Sequence, residues 1–255
     1  MRRAWIGYRG MAHEAAVVAD AFQVQSGGRT VELGRDEVRL LPPPPPSKIL
    51  AVGWNFPKHL EEMVDRLPER AVTEAPKEPI IFFKPPSCLI TDGESIVFPK
   101  DATRVEYEGE LVVMIGARAR RISPEDARGI VRGWTCGNDV TEREMQNADK
   151  QWWRAKGYDT FGPVGGIYET DMPDAEALIE TRVNGELRQQ GRVKDMLFDP
   201  FEVLSYISQA LTLEPGDLVM LGTPPGVGAL AVGDVVEVAV EGVGTLRNEV
   251  VEETD

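Results

Sequence analysis

The sequence predicts a mostly β protein with some α, on three observations. Short runs of β-branched and other apolar residues recur along the chain with glycine and proline turn signals between them. Only three segments carry a helix start. The run Pro42 to Pro46 fits neither a helix nor a central strand, so it cuts a short amino-terminal part from a long remainder. The expected division is residues 1–46, a small β-rich segment ending in a proline linker, and residues 47–255, the main domain.

Before the prolines, Trp5 to Tyr8, Ala21 to Val24 and Thr30 to Leu33 read as short strands punctuated by Gly27, Gly28 and Gly34. They suit either a separate unit or the first strands of one domain. After the prolines the strand pattern recurs at Lys48 to Val52, Ile80 to Lys84, Ser95 to Phe98, Glu106 to Ile115, Leu178 to Val183, Asp217 to Leu221 and Val235 to Val240. Helices are expected near Pro57, at Ser123 and at Asp199. The last two begin with an N-cap residue followed by proline, and Val203 to Leu211 carries an amphipathic body.

With 255 residues, 42% of them hydrophobic, the chain can bury one large core. Its formal charge of -14 repels polyanions, and without a basic patch a nucleic-acid partner is not expected. The longest apolar runs, such as Ile80 to Phe83 and Leu218 to Leu221, are far too short for a bilayer. Met1 to Trp5 has two arginines but no signal-peptide stretch after them, so the expectation is a soluble cytoplasmic protein. The two cysteines, Cys88 and Cys136, are expected as buried small hydrophobes.

Glu106, Glu108 and Glu110 alternate with Tyr107 and Gly109 ahead of the apolar run Leu111 to Ile115. On one strand, a period of two puts all three carboxylates on one face. Like charges that close raise one another's pKa unless a cation neutralises them, which points to a metal site. Oxygen ligands favour a hard ion: Mg2+, Mn2+ or Ca2+. The competing reading is a solvated edge strand. Asn138-Asp139, after the β-like stretch Gly133 to Cys136, offers a further carboxylate at a strand end.

There are two histidines. His59 stands in an expected short helix opening at Pro57, where Glu62 shares its face at the i, i+3 spacing and can orient the imidazole as a general base. An exposed polar helix face explains the same pair. His13 is expected at the surface. No Gly-x-Ser-x-Gly elbow is present, and Gly226-Val227-Gly228 follows two prolines and opens no helix, so neither a serine hydrolase nor a dinucleotide fold is indicated. Trp152 and Trp153 are read as core packing.

From about Lys48 to Val250 the chain resembles the fumarylacetoacetate hydrolase family. The resemblance rests on ordered segments: Val52-Gly53-Trp54-Asn55 with His59 and Glu62; Phe83-Lys84-Pro85-Pro86-Ser87; Val105 to Leu111; Gly133 to Arg143 with Gln146; Gln151 to Pro163; Val183-Asn184-Gly185-Glu186; and Pro215-Gly216-Asp217 through Gly228. It implies a mixed β-sandwich roll, a homodimer, and one divalent metal, Mg2+ or Mn2+ with Ca2+ as a further candidate, held by Glu108, Glu110 and Asp139. It implies that Lys156 stabilises negative charge on the substrate and that His59 with Glu62 forms a water-activating dyad on a lid. Arg143, Gln146 and Thr223 are then substrate contacts, and Glu106 supports the ligands without being one. Lys84 matches a family lysine. Phe56 departs from the tyrosine often found there, Trp54 occupies a variable site, and Met1 to Leu41 matches much less well.

The activity so implied is attack on carbon-carbon bonds of small 2-oxo acids, by acylpyruvate-type hydrolysis or by decarboxylation through a metal-stabilised enolate. The alternative is the isomerase and decarboxylase of homoprotocatechuate, or aromatic, catabolism. A catalytically inactive metal or 2-oxo-acid binder is the non-enzyme reading. The charged, proline-containing segment 63–79 is expected to close over the substrate.

Overall fold

In the computed structural model, which describes residues 1–19, 21–66 and 75–254, strand Gly109–Ile115 is buried at every position. Its alternation organises the protein. Leu111, Val113 and Ile115 face one side, where they join Ile179, Val238, Val240 and Leu246 and the apolar residues of helix Pro200–Ala210. Val112 and Met114 face the other side, among Ile49, Ala51, Leu218 and Met220. Coverage on both faces is why this strand reads as an unbroken apolar run.

The strand lies inside an eleven-stranded sheet. Val131–Asn138 and Leu218–Met220 flank it antiparallel; Ile49–Gly53 then runs parallel to Leu218–Met220, and Ile80–Lys84 closes that edge. On the other side Ile167–Glu169 joins Val131–Asn138 to Arg2–Tyr8, from which Met11–Val18, Ala21–Ser26 and Arg29–Leu33 continue the sheet. Residues 1–46 therefore share the sheet, yet carry their own cluster of Ala4, Ile6, Ala15, Phe22, Val24, Leu33 and Leu40. A second sheet of five strands, including Leu178–Val183 and Val235–Val240, packs on the first face. The result is mostly β, as expected.

The proline run forms neither helix nor strand. Its exit is pinned by fully buried Asp217, whose Oδ1 accepts from Ser47 Oγ at 2.6 Å and from Lys48 N at 3.1 Å. Asp199 caps helix Pro200–Ala210 by accepting from Phe201 N and Glu202 N at 2.7 and 3.1 Å. Ser123 caps only one turn, Pro124–Ala127. The helix at Pro57 spans Pro57–Arg66. Residues 67–74, the middle of the segment expected to close over substrate, lie outside the described residues. No described helix is long and apolar enough to cross a membrane. Both cysteines are free and buried.

Three expectations change. Glu106 to Ile115 is not one strand: Val105–Tyr107 pairs with Thr141–Glu142 and Gly228–Ala229 in a separate small sheet. The break falls at Glu108, whose N donates to the Asn138 side chain at 2.9 Å instead of to a neighbouring strand. Trp153 is 69% exposed, because helix Trp153–Gly157 turns Ala155 and Lys156 inward instead. His13 is partly buried within Met11–Val18.

Gly109, between the two glutamates, has its Cα against the second sheet; an added Cβ would stand 2.0 Å from Thr181 Oγ1 and 3.2 Å from Val238. Gly109→Ala should therefore overpack this contact and cost about 2 kcal/mol, seen as a lower urea midpoint with an unchanged m-value. An unchanged midpoint would mean that the sheets separate freely there.

Candidate active site

Strand register assembles the acidic cluster. Gly109 pairs with Asn138 as the last step of the ladder, so Glu108 and Asp139 stand side by side just past it, with Asp139 N donating to Glu108 O at 2.8 Å. Alternation sets Glu110 on the face of Val112 and Met114. The outcome is a buried trio: one carboxylate oxygen from each of Glu108, Glu110 and Asp139 lies within 4.8 Å of the others.

Cations surround two members of this trio. Lys156 Nζ donates to Glu108 Oε2 at 2.8 Å and to Asp139 Oδ2 at 2.5 Å. Lys84, at the end of edge strand Ile80–Lys84, reaches Asp139 Oδ1 at 2.6 Å and also donates to Val140 O and Lys156 O. Arg143 Nη2 bonds Glu108 at 2.5 Å, its Nε bonds Glu106 at 2.7 Å, and its Nη1 donates to Gln146 Oε1. Glu106 turns away from the trio, toward Arg143 and Arg104. The solvated edge strand is excluded, since Glu106, Glu108 and Glu110 are all buried.

Burial pushes the Glu108 carboxyl up, but Lys156, Arg143 and His59 outweigh it and hold the group well below the usual range. Burial, then Asp139 and Glu108, push Glu110 well above that range. Among the described residues no salt bridge reaches Glu110, which accepts from Gly222 N at 2.6 Å. Burial lowers the Lys156 ammonium, yet Asp139 and Glu108 raise it further and keep it charged.

Three hard oxygen donors, one of them a carboxyl left without a paired cation, fit a divalent ion of the Mg2+, Mn2+ or Ca2+ type. Glu108, Glu110 and Asp139 would hold it.

Eight of the nine residues singled out in the sequence line one narrow cavity: His59, Glu108, Glu110, Asp139, Arg143, Gln146, Lys156 and Thr223. Glu62 stands behind it. Its carboxylate is 3.5 Å from His59 Nδ1 and accepts from Gly226 N at 2.9 Å, so the imidazole leans on a fixed anion. The Thr223 hydroxyl donates to Gly109 O at 2.9 Å and accepts from Gln189 at 2.8 Å, which commits it to the scaffold. Sequence reasoning missed Gln189, which ties Gly109 N to that loop, and no local pattern marks it. It also missed Phe82 in the lining, although two-residue alternation from Lys84 was available as a signal.

Comparison with known proteins adds a context. A family model for the fumarylacetoacetate (FAA) hydrolase C-terminal region matches residues 48–251. The oxaloacetate tautomerase YisK of Bacillus subtilis is 38% identical over 227 residues, covering 84% of this chain and 73% of that one. A 5-carboxymethyl-2-hydroxymuconate delta-isomerase structure from Mycobacterium smegmatis superposes with a TM-score of 0.89 at 36% identity, covering 100% of both chains. A 2-hydroxyhepta-2,4-diene-1,7-dioate isomerase structure from Mycobacterium marinum gives 0.88 at 34%, again over 100% of both.

Because Glu110 binds a proton that a cation must displace, Mn2+ affinity should climb with pH, about tenfold per unit while Glu110 stays protonated. The sign for folding is opposite without metal: a raised carboxyl pKa gives stability at low pH that is lost as pH rises through it. Calorimetric titration with Mn2+ across that range reads the first effect, and Glu110→Gln should flatten the climb. A slope that survives the substitution would assign the displaced proton elsewhere.

Proposed function

The chain belongs to the fumarylacetoacetate hydrolase family, and from that premise we propose that it is a divalent-metal-dependent enzyme of small 2-oxo acids that moves a proton between their keto and enol forms. The observation that carries this reading is the buried trio of Glu108, Glu110 and Asp139 sharing one cavity with Lys156 and His59. A bound Mg2+ or Mn2+ supplies Lewis acidity toward the carboxylate and keto oxygens of the substrate.

The chain's own residues supply the rest. Lys156 sets a fixed positive charge beside Glu108 and Asp139, where an enolate oxygen gathers charge, and its burial strengthens that effect. His59, 4% exposed, stands at the same cavity and carries the proton; Glu62 holds its ring. Arg143 and Gln146 present polar groups to the substrate's carboxylate end, and Thr223 fixes the loop behind it. Keto–enol transfer needs only these parts, and relatives bearing tautomerase and isomerase names support it.

A second reading, hydrolysis of an acylpyruvate or decarboxylation, is favoured by the His59–Glu62 pair, which has the form of a water-activating dyad. We extend the proposal to the homodimer, the cytoplasmic location, the place in aromatic catabolism and the domain division at residue 46. A bare binder would have no use for His59, Glu62 and Lys156 together.

Assays on oxaloacetate, an acylpyruvate and a 2-hydroxy-dienedioate with Mg2+ should show keto–enol interconversion that stops when metal is removed. His59→Ala should spare metal affinity and slow turnover about a hundredfold. Lys156→Ala should slow it comparably while tightening metal binding, because two carboxylates lose their ammonium partner. Oxalate should bind only to the metal-loaded protein. No turnover on any of the three, with oxalate still bound, would replace the enzyme by a binder.

A further inference from the structure

The polar side of the cavity is accounted for by the proposed chemistry, but its apolar side is not. Gly53, Trp54, Phe82 and Trp152 line it. The Trp152 ring packs edge-on against Trp54 at 5.7 Å between centroids and against Phe82 at 5.3 Å. Gly53 lies close beneath it: a Cβ there would stand 3.2 Å from Trp152 Cζ3, so the ring would have to give by a few tenths of an ångström. Phe82 in turn holds the Lys156 ammonium 5.0 Å over its ring centroid. The free space left is about 20 Å3, room for little more than one water molecule.

Trp54 holds its place against a backbone cost. Its φ is +56°, in the left-handed region that a bulky residue rarely adopts. The next residue explains why the turn cannot relax: the Asn55 side chain donates to Phe198 O and Leu221 O at 3.1 and 2.8 Å and accepts from Phe198 N at 2.9 Å. Glycine would meet this φ without strain, and tryptophan stands there instead. A strained, half-buried indole on the wall of a cavity this small acts on what enters it.

We propose that Trp54, backed by Trp152 and Phe82, is the specificity-determining residue of this site. It limits the group on the far side of the 2-oxo acid to a short chain and turns away branched or aromatic substituents. The proposal rests on the assignment of the cavity to 2-oxo acids made above. With so little free space any organic ligand has to shift the lining, by less for a short far group than for an aryl group that must move the indole.

The test compares two probes on Mg2+-loaded protein by calorimetry: oxalate, which has only the chelating end, and phenylpyruvate, which adds an aromatic far group. Trp54→Ala and Trp54→Gly should each tighten phenylpyruvate at least tenfold while moving oxalate by no more than about twofold, within the range one pocket contact commands. The glycine variant relieves the backbone, so it keeps the test alive if the alanine variant folds poorly. Equal phenylpyruvate affinity in wild type and a folded variant, with oxalate bound by both, would overturn the role of Trp54. Failure of wild type to bind oxalate at all would instead overturn the 2-oxo-acid reading, and the two failures are distinguishable.

Discussion

Four buried carboxylates, Glu106, Glu108, Glu110 and Asp139, share one end of the main sheet with three buried cations, Lys84, Arg143 and Lys156. Removing that many charges from water is expensive, and it is sustained only where nearly every oxygen has a donor. The contacts meet this demand one by one. Asp139 is held by two lysines, Glu108 by a lysine and an arginine, and Glu106 by two arginines. Glu110 has a backbone N–H and no paired cation among the described residues. The unmatched acid is therefore Glu110, in the middle of the trio, whose carboxyl is driven toward its neutral form, and that mismatch is what fits the cluster to a cation rather than to a closed salt-bridge network.

The fold serves this arrangement. The strand pair Gly109–Ile115 and Val131–Asn138 ends where the acidic residues begin, so the ladder that stabilises the core also sets the distance between Glu108 and Asp139. Gly109 lets the second sheet press against the first directly between the two glutamates. Lys84 couples the edge strand to Asp139 and to the backbone of the helix that carries Lys156. A shift in any of these elements would move a charge out of its pair, so packing and electrostatics hold each other in register.

Patterns local in sequence were legible, and those made by long-range pairing were not. Apolar periodicity located Ile80–Lys84, Leu178–Val183 and Val235–Val240, and the Asp199-Pro200 cap located its helix. Alternation exposed the acidic stretch, but could not separate Glu106 from Glu108 and Glu110, because the strand break at Glu108 depends on the distant Asn138 side chain. A strand-end position offered Asp139 as a further carboxylate, and family resemblance selected it with Glu108 and Glu110; its partnership with Glu108 is a product of register. Helices Arg143–Ala148 and Trp153–Gly157 are too short to show periodicity, although they carry Arg143, Gln146 and Lys156. Trp153 misled for the same reason: on one short turn, an apolar residue carries no information about which way it faces.

Charge also orders the events at this site. Among the described residues each buried cation of the cluster, Lys84, Arg143 and Lys156, is already bonded to a carboxylate, so its charge is balanced before anything enters the cavity. An anion arriving alone would add negative charge to a pocket whose cations are already matched by carboxylates, in surroundings where water screens little. A divalent cation held by Glu108, Glu110 and Asp139 would change that balance, since it would supply two positive charges where Glu110 gives up at most one proton. Electrostatics therefore favours a cation bound before an anionic substrate, and Lys156 beside the trio would add its charge wherever negative charge develops there. On the proposed reading the acidic trio, the lysine beside it and the aromatic wall would divide the work: the first two would take the chelating end of a 2-oxo acid, and the wall would read what is attached to it.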